Sequence, residues 1–142
     1  MTTVTRRLEF DYGHRVLGHG GKCRSLHGHR GVAEVTVRAD GLDRLGMVVD
    51  FGKIKELIGG WLDANWDHAL LLNAADPQLS HLAATEERPP YAVKYGNPTA
   101  ENMARELYEK CQELLTVSGL EVTNVRLWET PACCADYPGH GY

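Results

Sequence analysis

The alternation of apolar and polar residues predicts β-strands in the first third of this chain and at its end, with helices between them. A period of two runs through residues 8–14 and 27–39, and again through 122–130. Such a period is typical of strands with one buried face. A short apolar run at 47–49 follows the turn residues 40–43, so we expect a further strand there, paired antiparallel with the strand before it.

Two segments repeat apolar residues at helical spacing. The first covers 50–65, with Asp50 as its N-cap, and the second covers 98–116. Residues 74–97 contain three prolines and little periodicity, so we expect loops with a short extended piece. The order strand, strand, strand, helix, helix, strand favours an α+β layer, in which an antiparallel sheet carries two helices on one face.

Length and composition indicate a single globular domain over residues 1–142. The net charge of -4 argues against a nucleic-acid partner. No apolar run approaches the roughly 20 residues that cross a bilayer, so we expect no membrane partner. Of the four cysteines, Cys133 and Cys134 are adjacent and Cys111 lies in a helical pattern, which does not resemble a disulfide framework. No signal segment precedes the predicted domain, and we expect a cytoplasmic protein with reduced thiols.

Three histidines stand close together at the start of the predicted sheet. His27 and His29 point to the same side of a strand and extend its inward-facing row, and His14 ends the preceding strand. Three neutral imidazoles from adjoining strands would hold Zn²⁺ and leave one coordination position open, as in catalytic zinc sites. Taken singly, each histidine fits a surface or core position equally well. Three other histidines have no comparable support, namely His19, His81 and His140.

A cysteine precedes the histidine pair, with three residues between Cys23 and His27. Nearby cations, including a bound Zn²⁺, would favour its thiolate at neutral pH, which makes Cys23 a candidate general base. A buried small apolar residue is the alternative interpretation. Basic side chains also surround the histidines and form either a solvated loop or a site for an anionic substrate. These are Arg15, Lys22, Arg24 and Arg30.

The ordered set of motifs resembles the 6-pyruvoyltetrahydropterin synthase / 6-carboxytetrahydropterin synthase superfamily. The resemblance covers nearly the whole chain, and the spacing of Cys23 from the histidine pair is similar to that of the bacterial carboxy-forming branch that leads to queuosine. It departs from the family at Arg30-Gly31, where many relatives carry an aromatic residue, and in the longer stretch between Asn73 and Asn97. The motifs are Phe10-Asp11-Tyr12-Gly13-His14, Cys23 through His29, Gly46 through Phe51, Asp67 through Asn73, Asn97 through Asn102, and Trp128-Glu129-Thr130.

This resemblance implies a tunnelling fold, with a four-stranded antiparallel sheet and two antiparallel helices on one face. It implies a homo-hexamer of two stacked trimers with active sites at subunit boundaries. The expected activity is that of a zinc-dependent lyase, which converts 7,8-dihydroneopterin triphosphate to 6-carboxy-5,6,7,8-tetrahydropterin with release of acetaldehyde and triphosphate, in 7-deazaguanine synthesis. Two alternatives remain open: triphosphate elimination to 6-pyruvoyltetrahydropterin, and a pterin-binding zinc protein without turnover.

The resemblance also implies roles for individual residues. Cys23 would act as the general base, and the Asp67-His68 pair would relay protons from a turn after the first helix. An ordinary helix-terminus pair is the alternative for these two. Glu129 has the inward parity of an apolar strand, where a carboxylate needs donors. It would anchor the N–H edge of the pterin ring and join the relay, and Thr99 would add a hydroxyl contact.

Overall fold

Two long strands form the centre of the sheet. In the computed structural model, which describes residues 1–139, β1 (Thr2–His14) and β2 (His27–Ala39) pair antiparallel over their full length. The pairing places His14 opposite His27 at one end of the two strands. Apolar residues on one side of both strands are buried, as the period of two predicts.

Four shorter strands complete a mixed sheet. They are β3 (Ala69–Asn73), β4 (Tyr91–Val93), β5 (Glu121–Thr130) and β6 (Cys133–Tyr137). The strand order is β4-β3-β1-β2-β5-β6, in which β3 is parallel to β1, β4 is parallel to β3, and the other neighbours are antiparallel. The α+β class is therefore confirmed, but within residues 1–139 the sheet has six strands rather than four and is not wholly antiparallel.

The strand predicted at 47–49 is wrong. These residues lie in a loop whose amides are bonded locally, because the carboxylate of Asp43 accepts from the amides of Leu45 and Met47 at 2.8 and 2.9 Å. Both edges of β2 are also occupied, by β1 and β5, so no edge of that strand is left for 47–49 to join. The apolar run still contributes to the core, since Val48 is buried.

Both predicted helices are present. The first consists of α1 (Phe51–Ile54), a π-helical turn at Lys55–Gly59 and α2 (Gly60–Asn65), and the Asp50 carboxylate caps it by accepting from the Gly52 amide at 2.7 Å. The second predicted helix is α4 (Ala100–Leu115). The apolar stripes of both predicted helices pack in the same core as the inward face of the sheet. A further helix, α3 (Gln78–Thr85), lies in a stretch predicted as loop. Among the described residues, no helix is both long and apolar enough to cross a membrane.

A buried ion pair anchors the chain that follows His14. The guanidinium of Arg15 donates to the carboxylate of Asp76, with Nε 2.6 Å from Oδ2. The Asp76 side chain is fully inaccessible and also accepts from the Gln78 amide at 2.8 Å. The Arg15 guanidinium holds the pKa of Asp76 below its usual value. The pair therefore ties the end of β1 to the segment after β3.

Replacing this buried carboxylate will destabilise the protein. We expect Asp76→Asn to lower the free energy of unfolding at pH 7 by about 3 kcal/mol, because Arg15 keeps its charge without a partner. The depressed pKa of Asp76 stabilises the fold above the unfolded carboxyl value of about 3.9, and this contribution is lost as the pH falls through the lower folded value. In urea titrations the difference from wild type should therefore shrink at acidic pH.

The matched control is Asp136→Asn, which breaks a solvent-exposed pair with Arg126. It should lower the free energy of unfolding by less than about 1 kcal/mol. Equal losses in the free energy of unfolding would show that the pair of Arg15 with Asp76 stabilises the protein no more than a solvent-exposed pair.

Gly31 is close-packed against two aromatic rings of β1. A Cβ atom added there would lie 2.9 Å from Phe10 Cζ and 2.9 Å from Tyr12 Cε1. We expect Gly31→Ala to lower the free energy of unfolding of the metal-free protein by about 1–3 kcal/mol, because the stacked rings must shift. Gly60→Ala is the control, since that helical position opens to solvent and the substitution should stabilise by up to about 1 kcal/mol. Chemical denaturation of both variants measures the sign and the size of the change in the free energy of unfolding.

Candidate metal centre

The three predicted zinc ligands lie together on one face of the sheet. His14 ends β1, and His27 and His29 begin β2, so the antiparallel register brings all three imidazoles to one place. Their ring centroids are 4.6 to 5.0 Å apart. The Nε2 atoms of His14 and His27 are 3.1 Å apart. The close approach follows from the register and the alternation of side chains.

Backbone carbonyls set the tautomers of two of these rings. His14 Nδ1 lies 2.7 Å from the carbonyl oxygen of Pro98, and His27 Nδ1 lies 2.6 Å from that of Ser25. A carbonyl only accepts, so each Nδ1 carries the proton and donates it. In a neutral ring the lone pair is then on Nε2, which points into the cluster. Metal-binding histidines are typically held in this way.

Glu129 lies at the fourth corner of the cluster. Its Oε1 is 3.1 Å from the Nε2 atoms of both His14 and His29. His29 Nε2 is buried and has no hydrogen-bond partner within the described structure, so this contact lacks hydrogen-bond geometry. The fourth position is predicted to be open, and the family resemblance assigns Glu129 to a pterin ring. Its inward parity could have identified it as a possible ligand as well.

A bulge in the sheet directs Glu129 toward the imidazoles. In the pairing of β5 with β6, Trp128 lies opposite Cys134 and Thr130 lies opposite Cys133, which leaves Glu129 without a partner. A bulge of this kind turns a side chain out of the regular alternation and occurs frequently beside active sites. The carboxylate therefore reaches the end of the sheet where the histidines converge.

The four donors fit a zinc ion. All four ligand atoms lie within 4.8 Å of one another. A tetrahedral zinc ion with bonds of 2.0–2.2 Å separates neighbouring donors by about 3.3 Å, close to the observed 3.1 Å. Burial lowers the pKa of His14 and of His29, which favours the neutral rings that bind metal. Converging lone pairs and a carboxylate oxygen repel one another unless a cation lies between them.

Cys23 faces the same region. It lies in a short 3₁₀ turn at Lys22–Arg24, and its carbonyl accepts from the Val16 amide at 2.7 Å. Its side chain lines a cavity of about 230 Å³ together with His14 and Glu129. Thr99 lines this cavity too, but its hydroxyl is engaged as the N-cap of α4, where it accepts from the Asn102 amide at 3.2 Å.

The Asp67-His68 pair lies in the turn between α2 and β3. The Asp67 Oδ2 atom is 2.8 Å from His68 Nδ1, and its Oδ1 accepts from the Asp11 amide at 2.9 Å. Burial acts to raise the pKa of Asp67, but the hydrogen bonds from Asp11 and His68 dominate and lower it. His68 has a φ of 57°, and its amide donates to the Asp11 carbonyl at 2.6 Å, which holds this strained conformation.

One chain does not bring Cys23 and His68 to the same cavity. The His68 side chain is 73% exposed and lines a groove of about 630 Å³ with Asp11, Gly28 and Arg30. Cys23 lines a different cavity, with His14 and Glu129, whereas His27 and His29 border the groove of His68. The residue pattern does not predict this separation, because it depends on the three-dimensional placement of two loops.

The four basic candidates divide into two groups. Arg15 is paired with Asp76, and Arg30 is paired with Glu9 and Asp11. Within residues 1–139, Lys22 and Arg24 have no ion pair. Two of the other histidines lie outside the cluster, because His19 Nδ1 accepts from the Gly21 amide and His81 is exposed on α3. His140 lies outside the described residues.

Comparisons with known proteins place the chain in a family. The pattern of the family described as 6-pyruvoyl tetrahydropterin synthase matches residues 3–140. A Rickettsia bellii protein named 6-carboxy-5,6,7,8-tetrahydropterin synthase is 46% identical, over 94% of this chain and 97% of its own length. An Aquifex aeolicus protein of the same name is 32% identical, over 94% of this chain and 96% of its own length.

Solved structures agree. An uncharacterized Wolinella succinogenes protein has the same fold, with a TM-score of 0.82 and 24% identity over 98% of both chains. The 6-pyruvoyl tetrahydropterin synthase of Caenorhabditis elegans superimposes with a TM-score of 0.71 and 25% identity, over 97% of this chain and 95% of its own. The resemblance seen in the sequence motifs is therefore confirmed, and the chain belongs to the 6-pyruvoyl tetrahydropterin synthase family.

Proposed function

We propose that this protein is a zinc-dependent lyase that converts 7,8-dihydroneopterin triphosphate to 6-carboxy-5,6,7,8-tetrahydropterin, with release of acetaldehyde and triphosphate, and so supplies 7-deazaguanine synthesis. The observation that carries the proposal is the convergence of three imidazoles, one of which, His14, shares a cavity with Cys23. The name of the Rickettsia bellii relative supports the same product.

The metal centre and Cys23 would share the chemistry. His14, His27 and His29 would hold Zn²⁺, which as a Lewis acid lowers the pKa of a bound hydroxyl and stabilises developing negative charge. Cys23, on the same cavity, removes a proton from the substrate side chain. The thiolate is the reactive form of a cysteine base.

Glu129 is placed to bind the pterin ring. It lines the small cavity with Cys23 and also a neighbouring cavity of about 490 Å³ with His29 and Trp128. A pterin presents two parallel N–H donors, which a carboxylate accepts as a pair. The larger cavity has room for a flat bicyclic ring against the Trp128 indole. The triphosphate would meet Lys22 and Arg24, whose charges have no described partner.

The proton relay requires a second subunit in this proposal. Cys23 and His68 line different cavities of one chain, although His27 and His29 border the groove of His68. A substrate that contacts Cys23 in its cavity would therefore meet His68 of a neighbouring subunit. The hexamer that the resemblance implies, with active sites at subunit boundaries, provides such a neighbour. Asp67 then orients His68 through the 2.8 Å contact.

The second candidate function is formation of 6-pyruvoyltetrahydropterin. The family pattern and the Caenorhabditis elegans neighbour carry that name, and the same metal centre would serve both reactions. The two functions differ in the product, because only the carboxy-forming reaction breaks a carbon–carbon bond and releases acetaldehyde. A pterin-binding protein without turnover would release neither product.

Product analysis tests the proposal directly. Purified protein incubated with 7,8-dihydroneopterin triphosphate should release acetaldehyde and contain about one zinc ion per chain. Cys23→Ala should lower kcat by about 100-fold or more with unchanged zinc content, because it removes a general base. Cys133→Ser is the control, as an exposed cysteine bordering the same cavity, and should retain turnover. A pyruvoyl product would support the second candidate, and full activity of Cys23→Ala would exclude this base.

A mixing experiment tests the shared site. Cys23→Ala and His68→Ala should each be inactive alone, but equal mixtures that are dissociated and reassembled should regain about a quarter of wild-type activity. Each intact residue is present at random in about half of the subunits, so about a quarter of sites receive both. If one chain supplied both residues to a site, mixing would restore no activity. Light scattering before and after mixing establishes the oligomeric state.

A further inference from the structure

We propose that Glu129 is a displaceable ligand, which binds the metal ion in the substrate-free protein and leaves it for the pterin ring when a substrate hydroxyl takes its place. This inference rests on the proposed function, since it gives one carboxylate of that site two alternating partners. The family resemblance assigns Glu129 to the pterin ring. The structure places its Oε1 among the imidazoles.

The contacts of Glu129 are those of a metal ligand. Oε1 lies at the same distance, 3.1 Å, from the Nε2 atoms of His14 and His29. With the His14 proton committed to the Pro98 carbonyl, the neutral ring has no hydrogen to donate to Glu129. An ion bound by these nitrogens would lie within bonding distance of the carboxylate oxygen. Glu129 therefore completes a four-donor set rather than a hydrogen-bonded pair.

No other described group holds this carboxylate in place. Within residues 1–139, no N–H or O–H group outside the imidazole cluster donates a hydrogen bond to Glu129. Other half-buried or buried carboxylates are fixed by such donors, as Glu106 is by the Tyr91 hydroxyl at 2.8 Å and Glu34 is by the Trp128 indole at 2.6 Å. Glu129 is thus free to leave once the ion has another ligand.

At the bulge, the side chain of Glu129 borders two cavities. Glu129 has no partner across the β5–β6 ladder, and its side chain is 27% exposed, compared with 1% for the side chain of His14. It borders both the cavity that contains Cys23 and the larger cavity that contains Trp128. Rotation about its side-chain bonds carries the carboxylate from one cavity toward the other without movement of the strand.

A displaceable carboxylate meets two requirements that oppose each other. Catalytic zinc needs an exchangeable coordination position, and a ring anchor needs a carboxylate without another partner. Exchange satisfies both, because a hydroxyl takes the position as the carboxylate turns to the ring N–H groups. Binding of the ring and coordination of the hydroxyl are then coupled, and each makes the other more favourable.

Zinc affinity and metal spectroscopy test this exchange. Chelator competition should show that Glu129→Gln binds zinc about 10–100-fold more weakly than wild type. Glu101→Gln is the matched control, since Glu101 borders the same cavity without contacting the imidazoles, and its zinc affinity should equal that of wild type. In Co²⁺-loaded wild-type protein, neopterin should shift the visible absorption bands as the carboxylate leaves. Neopterin should bind Co²⁺-loaded Glu129→Gln more weakly than it binds Co²⁺-loaded wild type.

Each other outcome overturns the inference in a distinct way. Unchanged zinc affinity in Glu129→Gln with loss of neopterin binding would make Glu129 a ring anchor only, and the proposed function would stand. Weaker zinc binding with neopterin affinity and Co²⁺ absorption unaffected would make it a permanent ligand. Failure of wild type to bind zinc would remove the proposed function as well. If Glu129→Gln does not fold, Glu129→Asp provides the comparison, because it keeps the charge but shortens the reach.

Discussion

The antiparallel pairing of β1 with β2 is the constraint on which the candidate site depends. It sets His14 opposite His27, and strand alternation then brings His29 to the same face. A shift of one residue would move the histidines of one strand to the other face of the sheet. The buried apolar residues on the inward row of both strands hold the register, since the same shift would expose them. Core packing and the arrangement of the histidines are therefore fixed by one ladder.

Residue types and their spacing predict the parts of this fold that extend over many residues. The strands over 8–14 and 27–39 and the helices over 50–65 and 98–116 each contain enough periods to be recognised. Shorter elements are not predicted, since β3 and β6 have only five residues each and the helix α3 buries none of its side chains. The apolar run at 47–49 misleads, since burial of Val48 in a loop leaves the same pattern as a strand.

The residue pattern likewise predicts only part of the candidate site. Parity alone groups His27 with His29 and turns Glu129 inward, because those relations are local to a strand. The 3.1 Å approach of Glu129 to two imidazoles depends on a bulge that the regular alternation does not reveal. The separation of Cys23 from His68 depends on three-dimensional placement of two loops. The ion pairs that distinguish Arg15 from Arg24 likewise join residues far apart in sequence.

The hydrogen bond from His14 to the Pro98 carbonyl has a consequence for biosynthesis. It joins residues 84 positions apart, and Glu129 lies still further along the chain. A nascent polypeptide leaves the ribosome from its N-terminus, so the histidine pair emerges long before the groups that orient and complete it. The four-donor arrangement can therefore form only after Glu129 has been synthesised. The order of synthesis thus separates the three imidazoles in time from the carboxylate that joins them.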